Sequence, residues 1–129
     1  MGLPMHKILI VDDESNILFL LERSITLLSC PNIQISKASN GKEALEKIQE
    51  DRPDLIFLDA MMPLVDGYEV CRTVKKDFGS SVYIIMLTAN AQEIDRIRAM
   101  DSGTDEFMIK PFDPNVIIEK VRTLFKINE

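Results

Sequence analysis

The sequence predicts a doubly wound α/β fold, in which helices cover both faces of a parallel β-sheet. Short apolar segments alternate five times with segments of helical periodicity, which is typical of repeated β-α units. Neither a Ser/Gly-rich linker nor a low-complexity stretch interrupts this alternation. The 129 residues fit one domain, so we expect a single domain over residues 1–129 with its core at about residues 7–125.

The first two β-α units follow from their apolar patterns. Residues 7–11 read as a continuous apolar strand, and residues 16–28 carry apolar side chains at helical spacing. Residues 33–38 alternate apolar and polar side chains, which indicates a half-exposed strand. Asn40 then stands where the N-cap of a helix over residues 41–50 belongs.

The remaining three units repeat this order. Residues 54–58 form a second continuous apolar strand, and Pro63 and Gly67 mark a loop before a helix over residues 68–78. The last two strands and helices are predicted at residues 82–87, 91–100, 106–109 and 114–125. On the helix over residues 91–100, the side chains expected to face inward are Ile94, Ile97 and Met100.

Strand character also predicts the order of the sheet. The first, third and fourth strands are apolar throughout, as expected for central strands that are buried on both faces. The second strand alternates and the fifth is short, so both should lie at edges. The order 2-1-3-4-5 satisfies these conditions and is that of the flavodoxin-like folds.

Composition excludes several classes of protein. The chain is 46% hydrophobic and 28% charged, so it can bury a core, and disorder is not expected. Its formal net charge of −6 argues against direct binding of nucleic acid or of an anionic membrane. Cys30 and Cys71 have neither metal-ligand nor disulfide-framework spacing. Without an apolar membrane span or signal region, we expect a cytoplasmic protein.

Charged and polar side chains stand where the predicted strands end. They are Asp12, Asp13 and Glu14 after the first strand, Asp59 after the third, Thr88 after the fourth and Lys110 after the fifth. Ligands of such sheets bind beyond the carboxyl ends of the strands. We therefore expect these side chains to share one site.

The carboxylates of this site predict a magnesium ion. Carboxylates gathered in one cleft repel each other, and a hard divalent cation removes that cost. Mg²⁺ prefers oxygen ligands and keeps waters that a phosphate can replace. We predict Asp13 and Asp59 as direct ligands, Asp12 as a ligand through water, and the backbone carbonyl of Met61 as a further ligand.

Phosphoryl transfer uses the parts that this site offers. The reaction needs a nucleophile in line, a metal and a cation over the remaining charge. Asp59 lies at the centre of the cluster and can form an aspartyl phosphate. Lys110 supplies an ammonium, and Thr88 supplies a hydroxyl donor for a phosphoryl oxygen.

At this point the sequence resembles the response-regulator receiver domains (CheY-like) of two-component signalling. The resemblance extends from about residue 7 to residue 125. The matching motifs are IVDDE at residues 10–14, LDAMMPLVDGYE at residues 58–69, MLTA at residues 86–89 and KPF at residues 110–112. By this resemblance Asp12 and Asp13 form the Mg²⁺ site, with Mn²⁺ as a substitute, and Asp59 is the phosphoacceptor.

The resemblance also assigns a switch. It implies that Thr88, Ala89 and Lys110 contact the phosphoryl group, and that Phe107 is an aromatic switch residue without the hydroxyl of a tyrosine. The family's sites that tune the lifetime of the phosphorylated form are Met61 and Asn90 here. An apolar Met61 cannot orient an attacking water, which predicts slow self-dephosphorylation. The resemblance further predicts a cis bond between Lys110 and Pro111.

The partners are also implied by the resemblance. The donor would be a phosphohistidine on a sensor histidine kinase or a histidine phosphotransfer protein. Phosphorylation would change the surface of residues 91–125, which would then control a partner or an output domain. A homodimer that forms on phosphorylation is a further option. The chain would be a signalling switch that catalyses only its own phosphorylation and dephosphorylation, and not a classical enzyme.

Three alternatives stay open. A degenerate receiver would serve only as a protein-binding scaffold, against which the full set of site residues argues. A Mg²⁺-dependent phosphohydrolase needs an Asp-x-Asp pair, but Asp59 is followed by Ala60 and Met61. A flavodoxin-like nucleotide binder needs a Gly- or Ser/Thr-rich phosphate loop after the first strand, where this chain has acidic residues that repel phosphate.

Overall fold

The computed structural model describes residues 4–89 and 93–127, without the side chains of residues 93–96. Five strands alternate with five helices along the chain. The strands are β1 (His6–Val11), β2 (Ile33–Ala38), β3 (Leu55–Asp59), β4 (Tyr83–Thr88) and β5 (Glu106–Ile109). The helices are α1 (Ser15–Thr26), α2 (Gly41–Glu50), α3 (Gly67–Phe78), α4 (Glu93–Asp101) and α5 (Pro114–Phe125), and a short 3₁₀ turn spans Gly79–Ser81.

The strands form one parallel sheet in the order β2-β1-β3-β4-β5, which confirms the predicted fold and the predicted edges. Strand β3 lies at the centre, and all five of its residues are buried. Edge strand β2 buries only Ala38 fully. Buried apolar side chains thus mark the central strands, as parallel sheets covered on both faces require.

Two apolar cores flank the sheet, because successive side chains of a strand point to opposite faces. Ile56 and Leu58 of β3 belong to a cluster with residues of α2, α3 and α4. Leu55 and Phe57 belong to a second cluster with residues of α1 and α5. Both cores pack helices closely against the sheet, and the strands between them end at one carboxyl-end rim.

Helix ends agree closely with the sequence pattern. The side chain of Asn40 caps α2 by accepting a hydrogen bond from the Glu43 N–H, as predicted. Helix α1 ends at Thr26, two residues before the predicted end. The chain turns there, and Ser29 takes a positive φ of 53°. Leu28 is nevertheless buried, since a residue just beyond a helix end can still pack on the core.

Helix α4 departs from the prediction in the face that it buries. Ile97 and Met100 are 50% and 53% exposed, so the expectation that they face inward was wrong. Ala99 is 2% exposed and joins the core instead. The side chain of Ile94 lies outside the described residues. A small side chain suffices at this contact because Tyr68 and other large residues already fill the cluster.

Within the described part of the chain, no helix has the length and apolarity that crossing a membrane requires.

Gly67, the first residue of α3, packs closely against the backbone at the end of β3. A Cβ added to Gly67 would lie 2.1 Å from the carbonyl oxygen of Asp59, so only glycine fits there. We expect Gly67→Ala to lower the free energy of unfolding by about 2 kcal/mol or more, as overpacking against backbone does. Urea unfolding measures this loss. Glu46→Ala on the exposed face of α2 should change it by less than about 0.5 kcal/mol. Equal stability of Gly67→Ala and wild type would contradict the close contact.

Candidate functional site

Four strands deliver the predicted residues to one rim of the sheet. Asp12 directly follows β1, Asp59 ends β3, Thr88 ends β4 and Lys110 follows β5. The residues Asp12, Asp59 and Thr88 are at most 4% exposed. Adjacent registers place Asp59 beside Leu87, and Thr88 beside Ile109. The fold thus holds polar side chains at positions that apolar neighbours keep largely dry.

The ammonium of Lys110 joins the carboxylates of the rim. Its Nζ atom lies 2.8 Å from Asp12 Oδ2 and 3.3 Å from Asp59 Oδ1. Glu14 Oε1 lies farther from the same atom, at 3.9 Å. The Lys110 side chain is only 12% exposed, so these contacts are poorly screened by water. One cation therefore interacts with carboxylates from three positions of the rim.

Backbone N–H groups hold the two buried carboxylates from the other side. The N–H of Glu14 donates to Asp12 Oδ1 over 2.9 Å, so both oxygens of Asp12 have partners. The N–H of Met61 donates to Asp59 Oδ1 over a longer distance of 3.4 Å. The described hydrogen bonds of the Asp12 carboxylate are therefore shorter than the one that Asp59 accepts from the backbone.

The electrostatics of the rim favour protonation of Asp59. Burial raises the pKa of the Asp59 carboxyl to about 7, and the Asp12 carboxylate adds to the rise. Lys110 and the Met61 N–H work in the opposite direction without cancelling it. Burial by itself lowers the pKa of Lys110, but the hydrogen bonds and charges of Asp12 and Asp59 raise it by more. The pKa of Lys110 is therefore raised, and the side chain stays an ammonium.

The acidic residues after β1 can hold a metal ion. Asp12, Asp13 and Glu14 each offer one carboxylate oxygen, and these oxygens all lie within 4.8 Å of one another. A set of carboxylate oxygens is what Mg²⁺ prefers, so the residues fit this ion. Glu14 was not among the predicted ligands, although its place beside Asp13 in the IVDDE motif was the available signal. Asp59 is connected to this group through Lys110.

The other predicted residues take varied positions. Ala89 is exposed just beyond β4. Phe107 is half-buried against the core and pairs in register with Met86. Met61 is 62% exposed beside the phosphoacceptor candidate. Asn90 lies outside the described residues. The peptide bond between Lys110 and Pro111 is cis, as predicted.

Comparison with known proteins decides the family. The profile of the response regulator receiver domain matches residues 8–122. The chain belongs to this family. Receiver domains are switches of two-component signalling, and an acidic pocket that binds Mg²⁺ is a feature of the family. In this receiver domain the acidic residues Asp12, Asp13 and Glu14 follow the carboxyl end of β1.

The curated proteins to which this receiver domain is similar include transcriptional regulators. It is 41% identical over 121 residues to the probable transcriptional regulator ycf27 of Pyropia yezoensis, covering 94% of this chain and 48% of that protein. It is 42% identical over 120 residues to the transcriptional regulatory protein ResD of Bacillus subtilis, covering 93% and 48%. The chain thus spans about half the length of these curated relatives.

A solved structure supports the assignment of the chain to the receiver-domain family. The BeF3-activated receiver domain of DrrB, a response regulator of Thermotoga maritima, matches with a TM-score of 0.84 at 27% identity. The match covers 95% of this chain and 98% of that one. The likeness therefore extends over the whole receiver domain.

The raised pKa of Asp59 predicts how stability depends on pH. Folding raises this pKa from 3.8 to about 7, so between these values the folded receiver domain binds a proton that the unfolded chain releases. The resulting stabilisation is fully present below the lower value and is lost as the pH rises through about 7. In a chelating buffer, Asp59→Asn should therefore gain stability relative to wild type between about pH 5 and about pH 8.

Thermal unfolding across this pH range measures the effect. Glu46→Gln, on the exposed face of α2, serves as the control and should keep a constant offset from wild type. A constant offset for Asp59→Asn as well would show that the Asp59 carboxyl titrates normally.

Proposed function

We propose that this receiver domain accepts a phosphoryl group on Asp59 from a phosphohistidine donor in a Mg²⁺-dependent reaction. The observation that carries this proposal is the contact of one buried ammonium, Lys110 Nζ, with both Asp12 and Asp59. Such a contact places a positive charge where an acyl phosphate on Asp59 would carry its negative oxygens. Residues 1–129 would form one receiver domain that works in the cytoplasm.

The chemical step uses the Asp59 carboxylate as the nucleophile. One Asp59 oxygen forms a bond to phosphorus while the bond from phosphorus to the imidazole nitrogen of the donor breaks. The imidazole leaves with the electron pair of the broken bond and takes up a proton. Because the pKa of Asp59 is about 7, a sizeable part of the carboxyl is protonated at neutral pH, and added positive charge increases the reactive fraction.

The residues that would hold Mg²⁺ are Asp12, Asp13, Asp59 and the backbone carbonyl of Met61, and the geometry adds Glu14 as a candidate. When bound, Mg²⁺ supplies positive charge to the phosphoryl oxygens. Lys110, which follows β5 and contacts Asp59, would orient the aspartyl phosphate from that side.

The switch would start at Thr88. Its hydroxyl would donate to a phosphoryl oxygen, with Ala89 lining the same side, and Phe107 would follow into the space that Thr88 leaves. Thr88 ends β4 and Phe107 lies on the neighbouring strand β5, so the two residues occupy adjacent strands of one edge. The surface of residues 91–125 would change in consequence.

Exposed apolar side chains in the loop that follows Asp59 support a protein as the donor. Met61 is 62% exposed and Leu64 is 87% exposed, both in the loop between β3 and α3. Such side chains gain from burial against a protein surface. We therefore propose a sensor histidine kinase or a histidine phosphotransfer protein as the donor.

The similarity to transcriptional regulators suggests the output. Since the chain spans about half of these relatives, we propose that phosphorylation controls an effector domain or partner in transcriptional regulation. A homodimer formed on phosphorylation would fit this role. The net charge of −6 favours an effector, and not this receiver domain, as the part that contacts nucleic acid.

Acetyl phosphate tests the phosphoacceptor directly. With Mg²⁺ present, intact mass should show the gain of one phosphoryl group by wild type. Asp59→Asn should show none, because the nucleophile is removed, and EDTA should abolish the gain by wild type. Asp66→Asn, which alters a partly exposed carboxylate that caps the start of α3, is a matched control that should still gain the group.

Full modification of Asp59→Asn would contradict the proposed role of Asp59, all the more if Asp66→Asn failed to gain the phosphoryl group. Modification of wild type that persists in EDTA would instead contradict the role of the metal.

The lifetime of the phosphorylated form tests Met61. Its exposed apolar side chain cannot hold a water in line for attack on phosphorus, so Met61→Asn should lose the phosphoryl group faster than wild type. Decay after removal of acetyl phosphate, followed by intact mass, measures the rate. Met61→Leu keeps the apolar character and should decay like wild type. Equal rates for Met61→Asn and Met61→Leu would contradict the role of Met61.

A further inference from the structure

An arginine of α4 covers a buried tyrosine ring of α3. The guanidinium carbon of Arg98 lies 4.4 Å from the centroid of the Tyr68 ring, within the range of cation–π attraction. Tyr68 is 2% exposed, whereas Arg98 is an exposed residue that lies over its ring. The contact therefore ties α4 to the first turn of α3.

The same turn of α3 presses against the phosphoacceptor strand. Gly67 directly precedes Tyr68, and a Cβ at Gly67 would lie 2.1 Å from the Asp59 carbonyl oxygen. The N–H of Gly67 also donates to the carbonyl of Ala60 over 3.0 Å. With no gap between them, a displacement at Asp59 moves the start of α3, which carries Tyr68.

Apart from this contact, the buried side chains in the described part of α4 and just after it are small. Ala99 and Ser102 are 2% and 3% exposed, while Ile97 and Met100 are about half exposed. The Ser102 hydroxyl donates to the Ala99 carbonyl, within the end of the helix itself. Among the side chains of α4 that the structure describes, Ala99 is the one that is buried, so the Arg98 stack is a considerable part of the contacts that hold this end of the helix.

We propose that Arg98 and Tyr68 form a latch that holds α4 in the arrangement seen with unmodified Asp59 and that is weakened when Asp59 is phosphorylated. This inference rests on the proposed function of Asp59. It adds a connection through α3, whereas Thr88 and Phe107 lie on β4 and β5.

Linkage gives the latch a measurable consequence. If the latch favours the unmodified arrangement, any ligand that mimics the phosphoryl group on Asp59 binds against it. Removing the latch must then raise the affinity for such a ligand. A contact that only stabilises the fold would leave this affinity unchanged.

Beryllofluoride is the probe, since the DrrB receiver domain is known in a BeF3-activated form. Isothermal titration calorimetry with Mg²⁺ and beryllofluoride would compare wild type with Arg98→Gln, which removes the cation but keeps a polar stem. We expect Arg98→Gln to bind roughly two- to fivefold more tightly, the size of one cation–π contact. Arg98→Lys keeps a cation and should fall between the two.

Arg72→Gln is the matched control. Arg72 is an exposed arginine of α3, so the substitution removes the same charge without removing the stack. Its affinity for beryllofluoride should equal that of wild type. Hydrogen exchange adds a second readout: backbone amides of residues 98–102 should exchange faster in Arg98→Gln, and also in wild type once beryllofluoride is bound.

The outcomes separate the latch from the proposed function. Unchanged or weaker beryllofluoride binding by Arg98→Gln overturns the latch, even if the variant melts at a lower temperature. An equal gain in affinity by Arg72→Gln also overturns it, because the effect would then be one of net charge. Failure of wild type to bind beryllofluoride overturns the proposed role of Asp59, and the latch with it.

Discussion

The ammonium of Lys110 among the carboxylates of the rim is the interaction on which the rest of the site depends. Asp12 is fully buried and Asp59 nearly so, and neither position is tolerable for an uncompensated charge. Lys110 compensates both, yet the pKa of Asp59 still lies at about 7. Burial is the main cause of that raised pKa, and the exposed Asp13 and Glu14 add negative charge beside the one ammonium of Lys110, so the described rim has fewer cations than carboxylates. This deficit is the physical reason why a divalent cation fits here.

Much of this architecture could be predicted from the sequence because its signals are local. Continuous apolar runs mark strands buried on both faces, and the alternation in β2 marks an edge. Since the ends of parallel strands share one rim, the positions of Asp12, Asp59 and Lys110 along the chain were enough to place them together. The N-cap at Asn40 follows from side-chain chemistry alone.

The face of α4 could not be predicted because it depends on contacts between distant segments. Hydrophobicity favours Ile97 and Met100 as inward residues, but the protein buries Ala99 and leaves the two larger side chains half exposed. This orientation brings the cation of Arg98 over the Tyr68 ring of α3, and no periodicity within α4 encodes that pairing. Glu14 was not predicted as a metal ligand for a related reason, because the residue type alone does not show which carboxylate oxygens lie close together.

The free energies of the phosphoryl hydrogen bonds and of the cation–π contact indicate different roles in the proposed switch. Driving a switch from 1:99 to 99:1 needs about 5.5 kcal/mol of preference, which a few hydrogen bonds to a charged phosphoryl group at about 1.5–3 kcal/mol each can supply. A cation–π contact at an exposed site contributes about 0.5–1 kcal/mol. By these magnitudes, the proposed Arg98–Tyr68 latch would yield to phosphorylation, but it would still bias the balance between the two arrangements of α4 before phosphorylation. In the proposed switch, whose Phe107 lacks a hydroxyl, this contact would set the resting balance, while Thr88 and Lys110 would supply the hydrogen bonds and charge that drive the change.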